Sequence, residues 1–263
     1  MFIHNLNPVL FDFIFFEIRW YSLAYIFGIL IGWWLAKKII VFKINTGQIS
    51  FNPDLFDELI SYIVISIIIG GRIGYVIFYN LTFYIDNPIN IFKIWEGGMS
   101  FHGALIGIIL ATLIFANKKK LDPLIFLDII SAVAPIGLFF GRIANFINSE
   151  LYGKPTDFFF SVIFTNVDKL PRHPSQLYEA TLEGLILFII LIFTIFNKNF
   201  KRGTCSCLFL ILYGFFRIIG EQFREPDIQI GYLFNKFSMG TMLSVFMVVV
   251  GILILKKNNY DKK

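Results

Sequence analysis

The sequence predicts an all-α integral membrane protein with about seven transmembrane helices, its N-terminus outside, its C-terminus cytoplasmic, and a small external loop region. Three observations predict this. Apolar runs of roughly twenty residues recur along the chain, long enough to cross a hydrocarbon core. Only 16% of the 263 residues are charged and 57% are hydrophobic, with a mean hydropathy of +0.72, whereas a soluble domain is about one-quarter charged. The third observation is the spacing of the basic residues, which fall in short clusters between the apolar runs.

Residues 1–19 carry Phe11, Phe13, Phe15 and Phe16 but are broken by Pro8, Asp12 and Glu17. They are too interrupted to span and read as an interfacial N-terminal segment. Without a basic n-region they do not read as a signal peptide. The first span opens at Trp20 and Tyr21 and closes at Lys37 and Lys38. The second runs from about Asp57 to Phe78, followed by a loop over Tyr79–Gly98. The third begins near Met99 and ends before Lys118.

The fourth span starts near Asp122 and leads into Gly141–Thr156, the most polar stretch of the chain at a membrane boundary. Residues 149–173 form the external loop region, whose Phe158–Thr165 segment suits a short strand or hairpin. Pro174 suits the first turn of a helix, so the fifth span runs from there to about Phe196. The sixth covers about Thr204–Phe223 and the seventh about Phe237–Leu255. No repeat or separate soluble domain is visible, and residues 1–263 read as a single polytopic membrane domain.

Orientation follows from the cations. Lys37, Lys38 and Lys43; Lys118–Lys120; Lys198, Lys201 and Arg202; and Lys256, Lys257, Lys262 and Lys263 follow spans one, three, five and seven. These ends are therefore cytoplasmic by the positive-inside rule. The same clustering explains the net charge of +5 without nucleic acid as a partner. Cys205 and Cys207 have no neighbouring ligand set, so no metal and no cofactor are expected.

The informative residues are the ionisable ones inside the spans, because each is costly there unless paired or bound. At about 1.5 Å per residue, Arg142 lies roughly 30 Å from the cytoplasmic Lys120 and Arg217 roughly 22 Å from Arg202. Arg72, His102 and Tyr25 fall at a similar level, in the outer half of the bilayer. Arg142, Asn145 and Ser149 share a helical face, as do Arg217, Glu221 and Arg224. Each has a plain structural reading. Arg217 and Glu221 suit an ion pair, Arg72 a glycine-lined helix contact that binds a carbonyl, Tyr25 an interfacial belt, and His102 a helix end. Together the arginines outnumber the nearby membrane carboxylates and call for an anion. A phospholipid phosphate suits guanidinium groups, and the same cations would stabilise a departing phosphate. His102 or Tyr25 would manage the proton of a nucleophile.

Several motifs resemble one family. Gly141-Arg142-Ile143-Ala144-Asn145-Phe146-Ile147-Asn148 with Glu150, Gly153 and Thr156, RHPSQLYEA (Arg172–Ala180), FHGALIG (Phe101–Gly107), RWYSLAY (Arg19–Tyr25) and REPD (Arg224–Asp227) are similar to those of the prolipoprotein diacylglyceryl transferases. The resemblance implies transfer of the diacylglyceryl group of phosphatidylglycerol to the lipobox cysteine thiol of prolipoproteins, with release of glycerol phosphate. It places the site near the outer leaflet of the bacterial cytoplasmic membrane, among membrane lipids. Arg142 and Arg217 would hold the phosphate, with Asn145, Glu150 and Gly153 shaping the site. Glu221 would orient Arg217 or touch substrate, Arg72 would add a binding group, and His102 and Tyr25 would handle the proton. Ala104 and Ile218 depart from residues common in the family, and neither removes a functional group.

Two other readings compete. An intramembrane serine protease lacks a Gly-x-Ser-x-Gly motif and a separated Ser–His pair. An anion transporter or channel would favour repeated halves and charges at the midplane, whereas these charges lie off-centre.

Overall fold

The computed structural model describes residues 2–13, 16–199, 201–226, 231 and 237–260. Phe15, Asp227, Lys262 and Lys263 lie outside the described residues. Seven helices are long and apolar enough to cross a membrane. They are α1 (Trp20–Asn45), α2 (Leu55–Tyr79), α4 (Phe101–Lys119), α5 (Pro123–Ile147), a composite fifth helix, α8 (Thr204–Phe223) and α9 (Met239–Tyr260). The composite helix joins α6 (Ser175–Glu179), a π-helical turn (Ala180–Ile186) and α7 (Leu187–Phe196). A short α3 (Leu81–Asp86) and two 3₁₀ turns (Pro88–Phe92 and Ile94–Glu96) connect α2 to α4.

Helix ends follow local chemistry. Ser100 Oγ accepts from Gly103 N (3.2 Å) to cap α4, and Lys120 ends it in the left-handed conformation (φ 55°). Asp122 Oδ1 accepts from Leu124 N (3.0 Å), with Pro123 in the first turn of α5. The start of α8 is capped from another helix. Buried Asp128 of α5 accepts from Gly203 N (2.6 Å), Ser206 N (2.8 Å) and Ser206 Oγ (2.7 Å).

α1 runs past Lys37 and Lys38, the expected limit of the span, to Asn45. Lysine is a good helix former with a long stem, so a basic cluster marks the edge of the bilayer and not the end of the helix. Lys37 there reaches Asp54 (3.1 Å) and Asp57 (2.9 Å), while Lys119 reaches Glu58 (2.6 Å) and Arg202 reaches Asp122 (3.2 Å).

The helices pack chiefly as the pairs α2–α4, α1–α5 and α8–α9. In the first pair small residues let the backbones meet, as expected where both helices face lipid. A Cβ on Gly70 would lie 2.5 Å from the Gly103 carbonyl oxygen, and one on Gly74 would lie 2.6 Å from Gly103 Cα. The tightest apolar packing, from Ala36, Ile39 and Ile40 through Phe115, Phe126 and Ile129 to Leu187, Leu191 and Phe209, occupies the lysine-rich half of the bundle.

The opposite end carries strands. β1 (Phe2–His4) runs parallel to β4 (Val162–Phe164), which pairs antiparallel with β5 (Pro171–Arg172). β2 (Val9–Phe13) and β3 (Phe16–Arg19) form a hairpin that leads directly into α1. The N-terminal segment is thus β-structured, and the strand expected within residues 158–165 is β4.

Candidate functional site

Several elements converge where the helix bundle meets the strands. The loop after α5 is fastened first, because the RHPSQLYEA segment is largely a clamp on it. Ser175 Oγ donates to the Leu151 carbonyl (2.9 Å) and buried Gln176 Nε2 donates to the Glu150 carbonyl (2.6 Å). Arg172 reaches Glu225 (2.9 Å) and the Gly153 carbonyl (3.0 Å), with its guanidinium 4.8 Å from the Tyr152 ring centre. Arg172 also pairs with Asp168 and holds that carboxyl below the usual carboxylate range. Gly153 belongs to this clamp. A Cβ there would lie 2.7 Å from the Phe223 carbonyl oxygen, a distance no side chain tolerates. His173 lies against Phe223 and Tyr178, and burial lowers its pKa, with nearby Lys154 lowering it further.

The loop presents an exposed carboxylate. Glu150 Oε2 accepts from Asn145 Nδ2 (3.2 Å), and the Glu150 backbone N–H donates to the Asn145 carbonyl (2.9 Å). Ser149 does not share the Arg142 face as expected. α5 ends at Ile147, and Ser149 sits at φ 58° with its hydroxyl 3.1 Å from His4 Nδ1.

Below this loop lies a buried ionic cluster. Arg142 Nη1 is 2.9 Å from Glu179 Oε2, and its Nη2 is 3.1 Å from Glu183 Oε2. Arg217 Nη1 is 2.9 Å from Glu179 Oε1 and 3.5 Å from Glu183 Oε1, and its Nη2 pairs with Glu221 Oε1. Arg224 Nη1 stands 3.8 Å from Glu179 Oε1. Ser238 Oγ donates to Glu221 Oε2 (2.7 Å) from the start of α9. The Glu179 and Glu183 side chains have no solvent exposure, and those of Arg142 and Arg217 are 13% and 8% exposed. A buried charge tolerates this only when paired. The i,i+4 pair of Arg217 with Glu221 forms as the spacing predicts.

Sequence reasoning misses Glu179 and Glu183 as site residues, and they change the charge count. Arg142, Arg217 and Arg224 face three carboxylates, so the expected excess of arginine over carboxylate does not exist in this cluster. The signal is present as two glutamates four residues apart inside the fifth span, costly there for the same reason as the arginines. Their placement depends on the π-helical turn, a local widening of the helix. Gly184 lets that turn lie directly against α5: a Cβ there would come within 2.7 Å of Phe139 Cβ and 2.8 Å of its Cα, leaving no room for a side chain.

Arg72 is elsewhere. Its Nε donates to the Ile91 carbonyl (2.9 Å), Nη2 to those of Asn90 (2.6 Å) and Lys93 (3.1 Å), and Nη1 to those of Gly97 and Gly98. The guanidinium is spent on the α2–α4 connection. These contacts fit the carbonyl-binding reading of Arg72, and its expected part in substrate binding has no counterpart among them. His102, the second residue of α4, is within electrostatic reach of Arg217 and Glu221. Its Nε2 is buried and has no hydrogen-bond partner among the described residues, so a substrate group or water would complete it. Tyr25 on α1 is 56% exposed, its hydroxyl lies 3.5 Å from that of Tyr21, and it is within electrostatic reach of Glu150.

The protein is thus a multi-pass membrane protein with a cluster of paired arginines and carboxylates buried at one end of its bundle, near an imidazole whose Nε2 has no hydrogen-bond partner among the described residues. The family model for prolipoprotein diacylglyceryl transferase matches residues 8–256. A phosphatidylglycerol–prolipoprotein diacylglyceryl transferase of Rickettsia typhi is 50% identical, covering 98% of this chain and 99% of its own. Proteins of the same name from Rickettsia bellii and Rickettsia felis are 51% and 49% identical, covering 96% and 97% of this chain and 95% and 98% of theirs. The chain belongs to the prolipoprotein diacylglyceryl transferase family.

Proposed function

We propose that the protein transfers the diacylglyceryl group of phosphatidylglycerol to the lipobox cysteine thiol of a prolipoprotein. The observation that carries this reading is the convergence of Arg142 and Arg217, from two helices, on one buried carboxylate with His102 alongside, in a family whose relatives bear that name. In the step, the cysteine sulfur forms a bond to the terminal glyceryl carbon and the bond from that carbon to phosphate oxygen breaks. The electron pair leaves on glycerol phosphate. The thiol proton passes to His102 Nε2 or to the departing phosphate. Arg142 and Arg217 supply the preorganised positive groups that such a leaving group needs, exchanging carboxylate contacts for phosphate contacts. Glu150, exposed and held by Asn145, would help to shape the same site.

The strand-bearing end then faces the outside of the bacterial cytoplasmic membrane, and the lysine-rich end faces the cytoplasm, as the positive-inside rule requires. A thiol just beyond the apolar segment of a signal peptide reaches the same level. Purified protein with phosphatidylglycerol and a lipobox peptide should yield a thioether-linked diacylglyceryl cysteine. Absence of product, or equal product from a Cys→Ser peptide, would sink the reading.

A further inference from the structure

Glu179 differs from the other two carboxylates of the cluster. Glu183 accepts hydrogen bonds from Arg142 (3.1 Å) and Arg217 (3.5 Å), and Glu221 accepts from Arg217 and Ser238. Glu179 touches Arg142, Arg217 and Arg224, one carboxylate against three cations from two helices. Yet neither of its oxygens receives an aligned hydrogen bond among the described residues. Its hold is charge at close range, 2.9 Å to each of the two nearer guanidinium groups, while their N–H vectors aim elsewhere. The side chain is itself pinned. Gly220 of α8 stands against it, with room for a Cβ only 3.2 Å from Glu179 Cγ.

We infer that Glu179 is a positioning residue that sets the spacing of Arg142 and Arg217 for a phosphodiester, an inference that rests on the transfer reading above. One oxygen faces each arginine, so the carboxylate acts as a spacer bar between them. The directed hydrogen bonds of the two arginines go to Glu183 and Glu221 instead, and these are the contacts a phosphate would replace while Glu179 keeps the spacing. Charge alone does not suffice, since a shorter acid cannot reach both cations. An uncharged isostere of the same length does not suffice either, since an amide nitrogen would repel one guanidinium.

The test uses Glu179→Gln and Glu179→Asp in the full-length protein, with rates expressed per folded enzyme from size-exclusion and thermal-melting profiles. Both variants should lose about 100-fold in kcat, the scale of a 1 Å misplacement, with KM for phosphatidylglycerol raised about tenfold. A second readout needs no chemistry. The preference of the wild-type protein for phosphatidylglycerol over diacylglycerol in mixed micelles should fall about tenfold in both variants. A residue that only holds the fold would lower the yield of folded enzyme and leave these ratios unchanged, and that result overturns the inference. Full rescue by Glu179→Asp also overturns it, because spacing would then not matter. Failure of the transfer reading looks different: the wild-type protein forms no thioether, whereas the micelle preference still reports on Glu179.

Discussion

Arg72 and Arg142 are both arginines inside membrane-spanning helices, and they differ in what satisfies them. Arg72 donates to five backbone carbonyls of one connection. Arg142 faces two carboxylates on a neighbouring helix. A carbonyl is fixed to its chain, so releasing Arg72 means unfolding the Pro88–Gly98 turns at about 1 kcal/mol per bond lost. A carboxylate is a rotatable side chain with a full charge, so its arginine can turn donors toward a second anion without any backbone unfolding. An intramembrane arginine is therefore not by itself a sign of a ligand; the identity of its partner decides.

The largest effect that would break this comparison is at Arg142. Arg142→Lys keeps the charge and loses the planar fork, so turnover should drop at least about 100-fold with folded protein recovered in normal amount. Wild-type turnover would show that the carboxylate-held arginine does no more than the carbonyl-held one. Arg72→Lys is the counterpart and should behave in the opposite way. One ammonium with three donors cannot serve carbonyls at Asn90, Ile91, Lys93, Gly97 and Gly98 at once. Protease cleavage between Tyr79 and Met99 should therefore accelerate and the melting temperature fall, with kcat per folded enzyme within about tenfold of wild type. Intact loop protection with a lost KM for phosphatidylglycerol would return Arg72 to the substrate site.

How much of this is legible in advance depends on whether an interaction is local in sequence. The spans are legible because twenty apolar residues have few alternatives. α8 falls at Thr204–Phe223, the predicted limits. Arg217 with Glu221 is legible because four residues make one helical turn. Arg142 with Glu179 is not, because the pair spans two helices and depends on a π-helical turn that no periodicity announces. The N-terminal strands are hidden for a related reason: β1 finds its partner about 160 residues away. For Arg72 the sequence offers a carbonyl contact and a substrate contact side by side, because depth along a helix gives the level of a side chain but not the direction it faces.

His4 offers the smallest effect and a third way of burying a polar group, by removing its charge. It is fully buried among Phe2, Phe146 and Phe164, with Nδ1 on the Ser149 hydroxyl and Nε2 without a partner among the described residues. Among the described residues no carboxylate pairs with it as one does with Arg142, and the backbone hydrogen bonds at Phe146 and at His4 itself offset only part of the cost of burial. Burial lowers its pKa below the ordinary value of about 6.5. The folded state thus binds fewer protons than the unfolded state, and its stability rises with pH in this range. The contribution is fully present above about pH 6.5 and is lost as pH falls from there towards the depressed folded value. Protection of the amides over Phe2–His4 and Val162–Phe164, whose strands His4 pins together, measured against the intrinsic exchange rate at each pH, should therefore be lower at pH 5 than at pH 7.5. His4→Phe should abolish that difference, since a phenyl ring has no charge to take up. Equal protection at both pH values in the wild-type protein would mean that His4 binds its proton alike in the folded and unfolded states, so that burial costs its cation nothing.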